Sequence, residues 1–371
     1  MSNATPRLLL HMNWALFILS VLLFGMGIVN LYSAGGVLRE FGMVVTPFYQ
    51  QQLIWGAAGL VVMFCVQLFD YRHLKSLAVP AYLIAVLLLL AVLLVGEVNS
   101  GARRWLNFGL FNAQPSELAK IAILLMGAKM LSRGKSPLNW LKLLEAGSIC
   151  VLPVLLILLQ PDLGTALNIL LLLGGMFLFR GIKLKVLAVL VIIVPLCVPL
   201  GWQFMHEYQK ERVRTFIDPQ RDRKGRGWNT IQAQIAIGSG QMWGKGYLQG
   251  TQDKLLFLPE NHTDFALAVF GEEWGFAGCT ALTAMFCLFL LSICTTVRDA
   301  KDRFGSYIAA GAFFYFFWQI LINMGMVLGI MPVVGIPLPF ISYGGSSTLV
   351  NSFMIGMVLN VSMRRFVFKV V

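Results

Sequence analysis

Asp264 is the residue of this sequence that most plainly needs a chemical explanation. It lies where a long polar loop enters a hydrophobic stretch, in the segment Leu-Pro-Glu-Asn-His-Thr-Asp-Phe at residues 258–265. An ionised carboxylate is costly to remove from water, so its position at this boundary indicates a function beyond packing. A carboxylate here can accept a proton from a hydroxyl nucleophile or bind a hard cation through oxygen. His262 can orient that carboxylate, titrate with it or cap the following helix.

The composition predicts that these residues belong to a membrane protein. Of 371 residues, 58% are hydrophobic and 12% are charged, and the mean hydropathy is +0.75. A bilayer is crossed by about 20 apolar residues, so the chain has room for about ten spans and one sizeable loop. We expect one integral membrane domain, residues 1–371, and no nucleic-acid partner, because cytoplasmic loops of membrane proteins account for excess positive charge.

Apolar windows predict an all-α, polytopic protein of about ten transmembrane helices. Their expected limits are residues 11–33, 49–69, 76–96, 115–132, 139–160, 163–180, 185–205, 263–296, 304–330 and 342–363. The first window is longer than the apolar core of a signal peptide, about 7–15 residues, so we expect it to stay uncleaved. The polar residues 205–263 form a large loop between helices 7 and 8.

Most Lys and Arg residues outside that loop fall on one side of the predicted helices, the side that holds both termini. The positive-inside rule makes this side cytoplasmic, so the 205–263 loop is extracytoplasmic. All six cysteines lie in apolar stretches without C-x-x-C spacing. A disulfide framework or a zinc site is therefore not expected.

The charged residues within or beside the spans gather on the outer side. Glu117 and Lys120 are one helical turn apart, just after Pro115, and so share a face. Asp162 lies in the outer turn between helices 5 and 6, and Arg104 and Trp105 precede helix 4. Together with Asp264, these positions predict a polar site at the outer leaflet.

Each of these residues also has a purely structural interpretation. Asp162 is suited to cap a helix, and Glu117 with Lys120 is suited to form a structural ion pair. Trp105 is typical of an aromatic anchor at the membrane interface. Glu272 and Glu273, about two turns beyond Asp264, have no role that the sequence decides.

Two further outer segments have an informative composition. Residues 207–226 contain seven cations, including Arg212, and four acids. This excess of positive charge is compatible with binding of an anionic headgroup or substrate. It is equally compatible with a solvated surface that has local ion pairs. After this segment, Trp228, Ile231 and Ile235 recur at helical spacing until Gly-Ser-Gly at 238–240, which predicts a short helix on the membrane surface. Residues 331–347 contain prolines and glycines that exclude a regular helix. We therefore expect a broken or re-entrant segment that lines a cavity, with Ser342, Ser346 or Ser347 as a polar contact.

Five ordered segments resemble the shape, elongation, division and sporulation (SEDS) family over essentially the whole chain. They are Gly-Ala-Arg-Arg-Trp-Leu at 101–106, Gln-Pro-Ser-Glu-Leu-Ala-Lys at 114–120, Gln-Pro-Asp-Leu-Gly-Thr at 160–165, Pro-Glu-Asn-His-Thr-Asp-Phe at 259–265 and Ile-Ser-Tyr-Gly-Gly-Ser-Ser at 341–347. Residues 332–339 look more like the elongation members than the division members. Gly271 and Trp274 depart from the more usual Ala and Leu, which changes local packing.

The resemblance implies a peptidoglycan glycosyltransferase that polymerises lipid II at the outer face of the bacterial inner membrane. It implies a class B penicillin-binding protein and other elongation-complex proteins as partners, and no organic cofactor. The position matching the family's essential aspartate is Asp264, and Glu117, Lys120 and Asp162 match other important polar positions. Arg104, Trp105, Arg212, His262 and Ser342 are the further candidates for substrate contact.

The chemistry of such a reaction leaves several alternatives open. One general base and a cationic site suffice, because the departing undecaprenyl diphosphate needs charge stabilisation more than a proton. Asp264 is either that base or a ligand of a divalent cation, Mg²⁺ or Mn²⁺, that holds the diphosphate. A lipid II flippase is the alternative function, and it predicts charged sites open to both sides. A catalytically silent scaffold for cell-wall enzymes is a third possibility.

Overall fold

The computed structural model describes residues 10–34, 48–99, 102–107, 109, 112–134, 136–205, 207–222, 226–251 and 262–366. These residues form helices α1 Trp14–Ala34, α2 Phe48–Leu68, α3 His73–Val95, α4 Pro115–Ser132, α5 Trp140–Leu159, α6 Leu163–Arg180, α7 Leu184–Phe204, α8 Glu207–Ile217, α9 Arg226–Ser239, α10 Ala266–Asp299, α11 Arg303–Val327 and α12 Gly345–Met363. A short 3-10 helix, Pro219–Asp222, follows α8. Pro259, Glu260 and Asn261, which begin the motif containing Asp264, lie outside the described residues.

The described part of the chain has eight helices long and apolar enough to cross a membrane, namely α1, α2, α3, α5, α6, α10, α11 and α12. The protein is therefore a multi-pass membrane protein. The predicted count of ten depends on α4 and α7, which occupy the expected places. In α4 the residues Glu117, Lys120 and Lys129 lower the hydropathy. In α7 the apolar stretch found among the described residues is Leu184–Ile193, which is too short to be counted with the eight.

Helices α11 and α12 form the interior of the bundle. In their most apolar windows 67% and 78% of the residues are buried, against 28% in α2 and α3, whose exposed leucines and isoleucines suit contact with lipid. Phe289 of α10 and Phe316 of α11 pack edge to face with ring centroids 5.1 Å apart. Phe340, between α11 and α12, contacts both rings, at 5.8 and 5.9 Å. This aromatic cluster holds the α11–α12 connection against the core.

A small antiparallel sheet corrects the all-α prediction. Strands β1 Glu97–Asn99 and β2 Ala102–Asn107 pair with Glu97 opposite Trp105, and β3 Asn112–Ala113 pairs with the end of β2. Strands of this length are too short to give an alternating pattern that stands out from the neighbouring apolar helices. The sheet matters for the site because it places Arg104 and Trp105 ahead of α4.

The predicted short helix after Trp228 is present as α9, and it ends at Ser239 as the Gly-Ser-Gly sequence indicates. Its buried positions include Ala233 and Ala236, whereas Trp228 and Ile235 are 36% and 45% exposed. The side packed against α10 carries these small residues and Ile237, which lies against Gly271 of α10. Trp228 and Ile235 stay exposed, which suits a helix on a membrane surface.

Helix α10 is interrupted at Gly275, so the predicted span 263–296 consists of two helical pieces. Gly275 has φ 63° and ψ −163°, a conformation essentially restricted to glycine. The chain after α9 bonds to the break, because Phe276 N donates to Gln241 O at 2.8 Å and Ala277 N donates to Met242 O at 3.0 Å. The loop between α7 and α10 is thereby attached to the bundle.

Gly275→Ala is expected to destabilise the protein by at least about 1–3 kcal/mol, the cost of a non-glycine residue in this conformation. A Cβ at Gly275 would also lie 2.3 Å from Gly244 N, which adds a steric clash. Gly147→Ala in α5 is the control, because a Cβ there meets nothing within 4 Å and alanine favours a helix. Thermal unfolding in detergent measures both, and an unchanged midpoint for Gly275→Ala would contradict this account of the break.

Candidate active site

The segment at residues 331–338, called here the 331–338 turn, is non-helical as predicted and lies beside Asp264. Gly335 in this turn has φ 74°, and a Cβ added to it would lie 3.3 Å from Asp264 Oδ2. Asn323 Nδ2 donates to Asp264 O at 3.1 Å and to Ile336 O at 2.8 Å. One buried amide on α11 thus fixes both the Asp264 backbone and the turn, and Asp264 itself is half-buried.

The same turn contacts two other candidate segments. Arg212 Nη1, on α8, donates to Val334 O at 3.0 Å. Gly164, on the first turn of α6, lies so close that a Cβ there would be 2.6 Å from Val334 O. The turn therefore brings together the Asp264 carboxylate, the Arg212 cation and the end of α6 that begins after Asp162.

Asp162 is buried and caps α6, the structural role that the sequence left open. Its Oδ1 accepts a hydrogen bond from Thr165 N at 3.2 Å. Its Oδ2 accepts from Gln114 Nε2 at 3.3 Å and from Ser116 Oγ at 3.5 Å. The carboxylate thus links the start of α6 to the start of α4, which carries the next pair of candidates.

Glu117 and Lys120 share a face of α4, as their spacing predicts. Lys120 Nζ lies 2.6 Å from Glu117 Oε1, and the two side chains are 3% and 6% exposed. Lys120 Nζ also lies 5.4 Å from the centroid of the Tyr315 ring. The other carboxylate oxygen, Glu117 Oε2, is buried and has no hydrogen-bond partner among the residues described. Such an acceptor marks a position for a donor from water or a bound ligand.

Arg104 attaches the small sheet to the turn between α5 and α6. Its Nε donates to Gln160 O at 3.0 Å, and its Nη2 donates to Pro161 O. These bonds leave further N–H groups of the guanidinium for other acceptors. Trp105 is half-buried in β2, where it pairs with the first strand.

His262 and Ser342 lie at the junction of α2, α10 and α12. The His262 ring stacks on Phe48 with centroids 3.9 Å apart and an angle of 8° between the planes. His262 O accepts from Tyr343 N at 2.8 Å. Ser342 is buried and its Oγ accepts from Leu338 N at 2.9 Å. Ser342 is therefore placed to stabilise the turn, and its side chain is not exposed at a surface.

Tyr343 completes this junction. Its hydroxyl donates to Gln51 Oε1, and its ring centroid is 5.2 Å from that of Phe48. Burial raises the pKa of Tyr343 above its usual value. The phenol therefore stays protonated, and remains a hydrogen-bond donor, throughout the physiological pH range.

Residues 13–366 match the family of cell cycle proteins that comprises FtsW, RodA and SpoVE. The chain belongs to this family. The peptidoglycan glycosyltransferase MrdB of Escherichia coli K12 is 38% identical over 358 residues, which cover 96% of this chain and 94% of that protein. The SEDS resemblance is thus confirmed.

Two solved structures share the fold of this FtsW, RodA and SpoVE family member. One is a chain from a peptidoglycan synthase complex that coordinates polymerization and crosslinking, with TM-score 0.82, 31% identity, and coverage of 96% of this chain and 98% of that chain. The other is the rod shape determining protein RodA of Thermus thermophilus, with TM-score 0.71, 29% identity, and coverage of 96% and 98%. The similarity to the elongation branch is therefore supported.

Glu272, whose role the sequence does not decide, attaches the loop after α9 to α10. It is fully buried, and its Oε1 lies 2.6 Å from Lys245 Nζ, 2.8 Å from Thr251 N and 2.9 Å from Thr251 Oγ1. Two adjacent acids inside an apolar helix need such partners when they are buried. Their position in the sequence could therefore have indicated that Glu272 and Glu273 bind polar groups of another segment. Lys245 is therefore held in this ion pair.

Glu273 anchors the neighbouring part of the loop. Its Oε1 accepts from Leu248 N at 3.0 Å and from the Ser33 hydroxyl on α1. The backbone joins in, because Gly246 N donates to Glu273 O at 3.1 Å. Residues 244–251 are thus held on α10 just above the Gly275 break, on the side of the bundle that carries Asp264.

Glu272→Gln is expected to increase amide hydrogen exchange at Thr251 by about ten-fold or more. The neutral amide cannot form the ion pair with Lys245, and hydrogen bonds to charged groups contribute about 1.5–3 kcal/mol. Hydrogen-exchange mass spectrometry of residues 244–251 measures the change. Glu207→Gln, at a carboxylate 75% exposed, is the control and should leave this segment unchanged. Equal protection in Glu272→Gln would show that the anchor does not hold the loop.

The described ranges contain no group of three or more His, Cys, Asp or Glu residues placed to hold a metal ion. A Mg²⁺ ion bound by one or two carboxylates and by substrate phosphates needs no such group. Asp264, half-buried beside the glycine of the turn, is the carboxylate suited to that mode of binding.

Proposed function

We propose that the protein is a peptidoglycan glycosyltransferase that polymerises lipid II into glycan strands at the outer face of the bacterial cytoplasmic membrane during cell elongation. Family membership and the name of the MrdB relative support the activity. The similarity to RodA supports the role in elongation. Within the site, the observation that carries the proposal is the half-buried Asp264 carboxylate beside the turn that also binds Arg212.

In the proposed reaction, a sugar hydroxyl of one substrate attacks the anomeric carbon of the other. The new bond joins the hydroxyl oxygen to that carbon, and the bond from the carbon to the diphosphate oxygen breaks. Asp264 accepts the hydroxyl proton, and the electron pair of the broken bond leaves with undecaprenyl diphosphate. Displacement from the opposite face inverts the anomeric centre. No second carboxylate has to protonate the leaving group, unlike the paired acids of glycoside hydrolysis.

The leaving diphosphate needs cations, and three described side chains supply them in this proposal. Arg212 of α8 donates a hydrogen bond to the 331–338 turn, and Lys120 is buried in α4. Arg104 has further N–H groups beside the α5–α6 turn, besides those that bind Gln160 O and Pro161 O. In a site of low dielectric, such fixed charges stabilise developing negative charge strongly. Glu117 would accept a substrate hydrogen bond through its unpartnered oxygen.

Asp162, Trp105, His262 and Ser342 belong to the same proposed substrate site. Asp162 and His262 orient the segments that carry the reacting groups, as their contacts with α4 and with Phe48 indicate. Trp105 would contact the sugar or the interface, and Ser342 would act by keeping the turn in shape. No nucleic acid or organic cofactor enters the proposal.

A divalent cation is the alternative role for Asp264. Mg²⁺ or Mn²⁺ held by Asp264 would supply positive charge to the diphosphate. The carboxylate would then bind and orient substrate rather than take the proton. The two roles make different predictions for metal titration.

The proposed topology puts both termini in the cytoplasm and the 205–263 loop outside. Excess Lys and Arg on the side of the termini supports it. A class B penicillin-binding protein is the proposed partner, together with other proteins of the elongation complex. The similarity to a chain of a peptidoglycan synthase complex that coordinates polymerization and crosslinking supports this partner.

Polymerisation is favoured over lipid II transport by the names of the relatives and by the position of the polar residues at one end of the bundle. The test is to give purified protein lipid II in detergent, where the two sides of a membrane do not exist. A glycosyltransferase should release glycan chains and undecaprenyl diphosphate there. Unchanged lipid II in this assay, with transport of lipid II in proteoliposomes, would favour the flippase instead.

A further inference from the structure

A second charged site lies at the end of the bundle opposite to Asp264. It is a cavity of about 210 Å³ between the last turn of α4, the start of α5 and the end of α6. Helix α4 has 18 residues and a length of about 27 Å, and it separates this cavity from the Glu117 end. By the proposed topology the cavity is cytoplasmic, so it is not part of the polymerisation site.

Arg180 forms a fixed wall of this cavity. Its guanidinium donates to Leu131 O and, through Nε and Nη2, to Ser136 O at 3.2 and 3.1 Å. Gly134 lies directly against it, since a Cβ there would be 2.6 Å from Arg180 Nη2. The cavity is therefore preformed, because its wall is held by backbone carbonyls of two different segments.

The two other cations that line the cavity form no ion pair with a described residue. Arg133 and Lys142 are exposed, and neither has a carboxylate within ion-pair distance in the part of the chain that the structure describes. The one side-chain bond of Lys142 Nζ found there goes to Ser136 Oγ at 3.3 Å. Glu145 is the only acid in the described lining, so the cavity carries a net positive charge.

The surroundings identify the kind of anion. On α5, immediately beside the cavity, Trp140, Leu141 and Leu144 are 39%, 77% and 65% exposed. Apolar side chains on the outside of a membrane helix face lipid tails, and Trp is typical of the headgroup level. A ligand with a phosphate and attached hydrocarbon tails matches cavity and flank together, whereas an acidic peptide would leave the apolar flank uncovered.

We infer that this cavity binds the headgroup phosphate of an anionic phospholipid, such as phosphatidylglycerol, from the cytoplasmic leaflet. The phosphate lies between Arg133 and Lys142, against the Arg180 wall, and the acyl chains lie along the exposed leucines of α5. Basic pockets between helices on this side of a membrane are suited to such headgroups. The volume is below the range of about 300–1,000 Å³ typical of pockets for whole drug-sized ligands, which fits a headgroup whose tails remain outside.

Lipid retention measured by native mass spectrometry tests the inference without using the polymerisation reaction. The wild-type protein in nanodiscs of phosphatidylglycerol and phosphatidylcholine should retain phosphatidylglycerol preferentially. Arg133→Gln and Lys142→Gln should each reduce that preference by about five-fold, since one cation near an anionic lipid contributes about 1 kcal/mol. Glu145→Gln should increase it, because it removes the like charge, and a general loss of folding cannot produce that increase.

Lys185→Gln is the matched control, because Lys185 is an exposed cation at the same end of the bundle outside the cavity. Its lipid preference should equal that of the wild type. Equal losses in Lys185→Gln and Arg133→Gln would overturn the site in favour of a diffuse surface effect. Retention that is the same for both phospholipids would overturn the anionic lipid as the ligand.

Discussion

Replacing Asp264 by asparagine is expected to lower the rate of lipid II polymerisation by a factor of about 10²–10⁴, the usual contribution of a general base. Asparagine keeps the size of the side chain, and the bond from Asn323 to the Asp264 carbonyl does not involve the side chain at all. The fold should therefore survive while the proton acceptor is lost. Initial rates with purified protein and labelled lipid II measure the effect.

Two further variants make the result specific. Asp218→Asn changes an exposed acid of the 205–263 loop and should keep the wild-type rate. Asp264→Glu keeps the charge but moves it, so it separates the two proposed roles. If Asp264 is a cation ligand, higher Mg²⁺ or Mn²⁺ should restore part of the Asp264→Glu rate; if it is the base, added metal should change nothing. Wild-type yield from Asp264→Asn would contradict both roles.

Lys120→Met is expected to cost about 3–5 kcal/mol of stability and to abolish activity. The change leaves the Glu117 carboxylate buried without its partner, and breaking a buried ion pair in this way is strongly destabilising. Both side chains are almost inaccessible, at 3% and 6% exposure, so bulk solvent stabilises the unpaired carboxylate only weakly. Thermal unfolding in detergent should show a large fall in midpoint.

The double variant Glu117→Gln with Lys120→Met separates structure from catalysis. Removing both charges should restore most of the stability, because no uncompensated charge remains. Polymerisation should stay lost, because the cation proposed to face the diphosphate is absent. A double variant that recovers both stability and activity would show that the pair is only structural.

Much of the site could be predicted from the spacing of residues within short segments. Pro115 followed by Glu117 and Lys120 defines one helix face, and the observed pair lies there. Prolines and glycines excluded a helix before α12, and the 331–338 turn is non-helical. Such features follow from a few neighbouring residues and their backbone limits.

Contacts between distant segments could not be read in the same way. Arg212 meets Val334 because a long loop folds back on the bundle, and no local pattern specifies that path. The break at Gly275 lies inside an apolar run, where one glycine is also compatible with a continuous helix. Glu272 could be recognised as a buried acid in need of a partner, but Lys245 could be chosen as that partner only in three dimensions.

The catalytic role of Asp264 is best measured on wild-type and Asp264→Asn protein in detergent, with polymerisation and lipid II binding followed on the same samples. The wild type should produce glycan chains, and Asp264→Asn should produce them at a rate lower by a factor of about 10²–10⁴. Binding of lipid II should be comparable in the two proteins if Asp264 acts as the base. Glycan chains of wild-type yield from Asp264→Asn, or none from the wild type, would contradict a catalytic role of Asp264 in polymerisation.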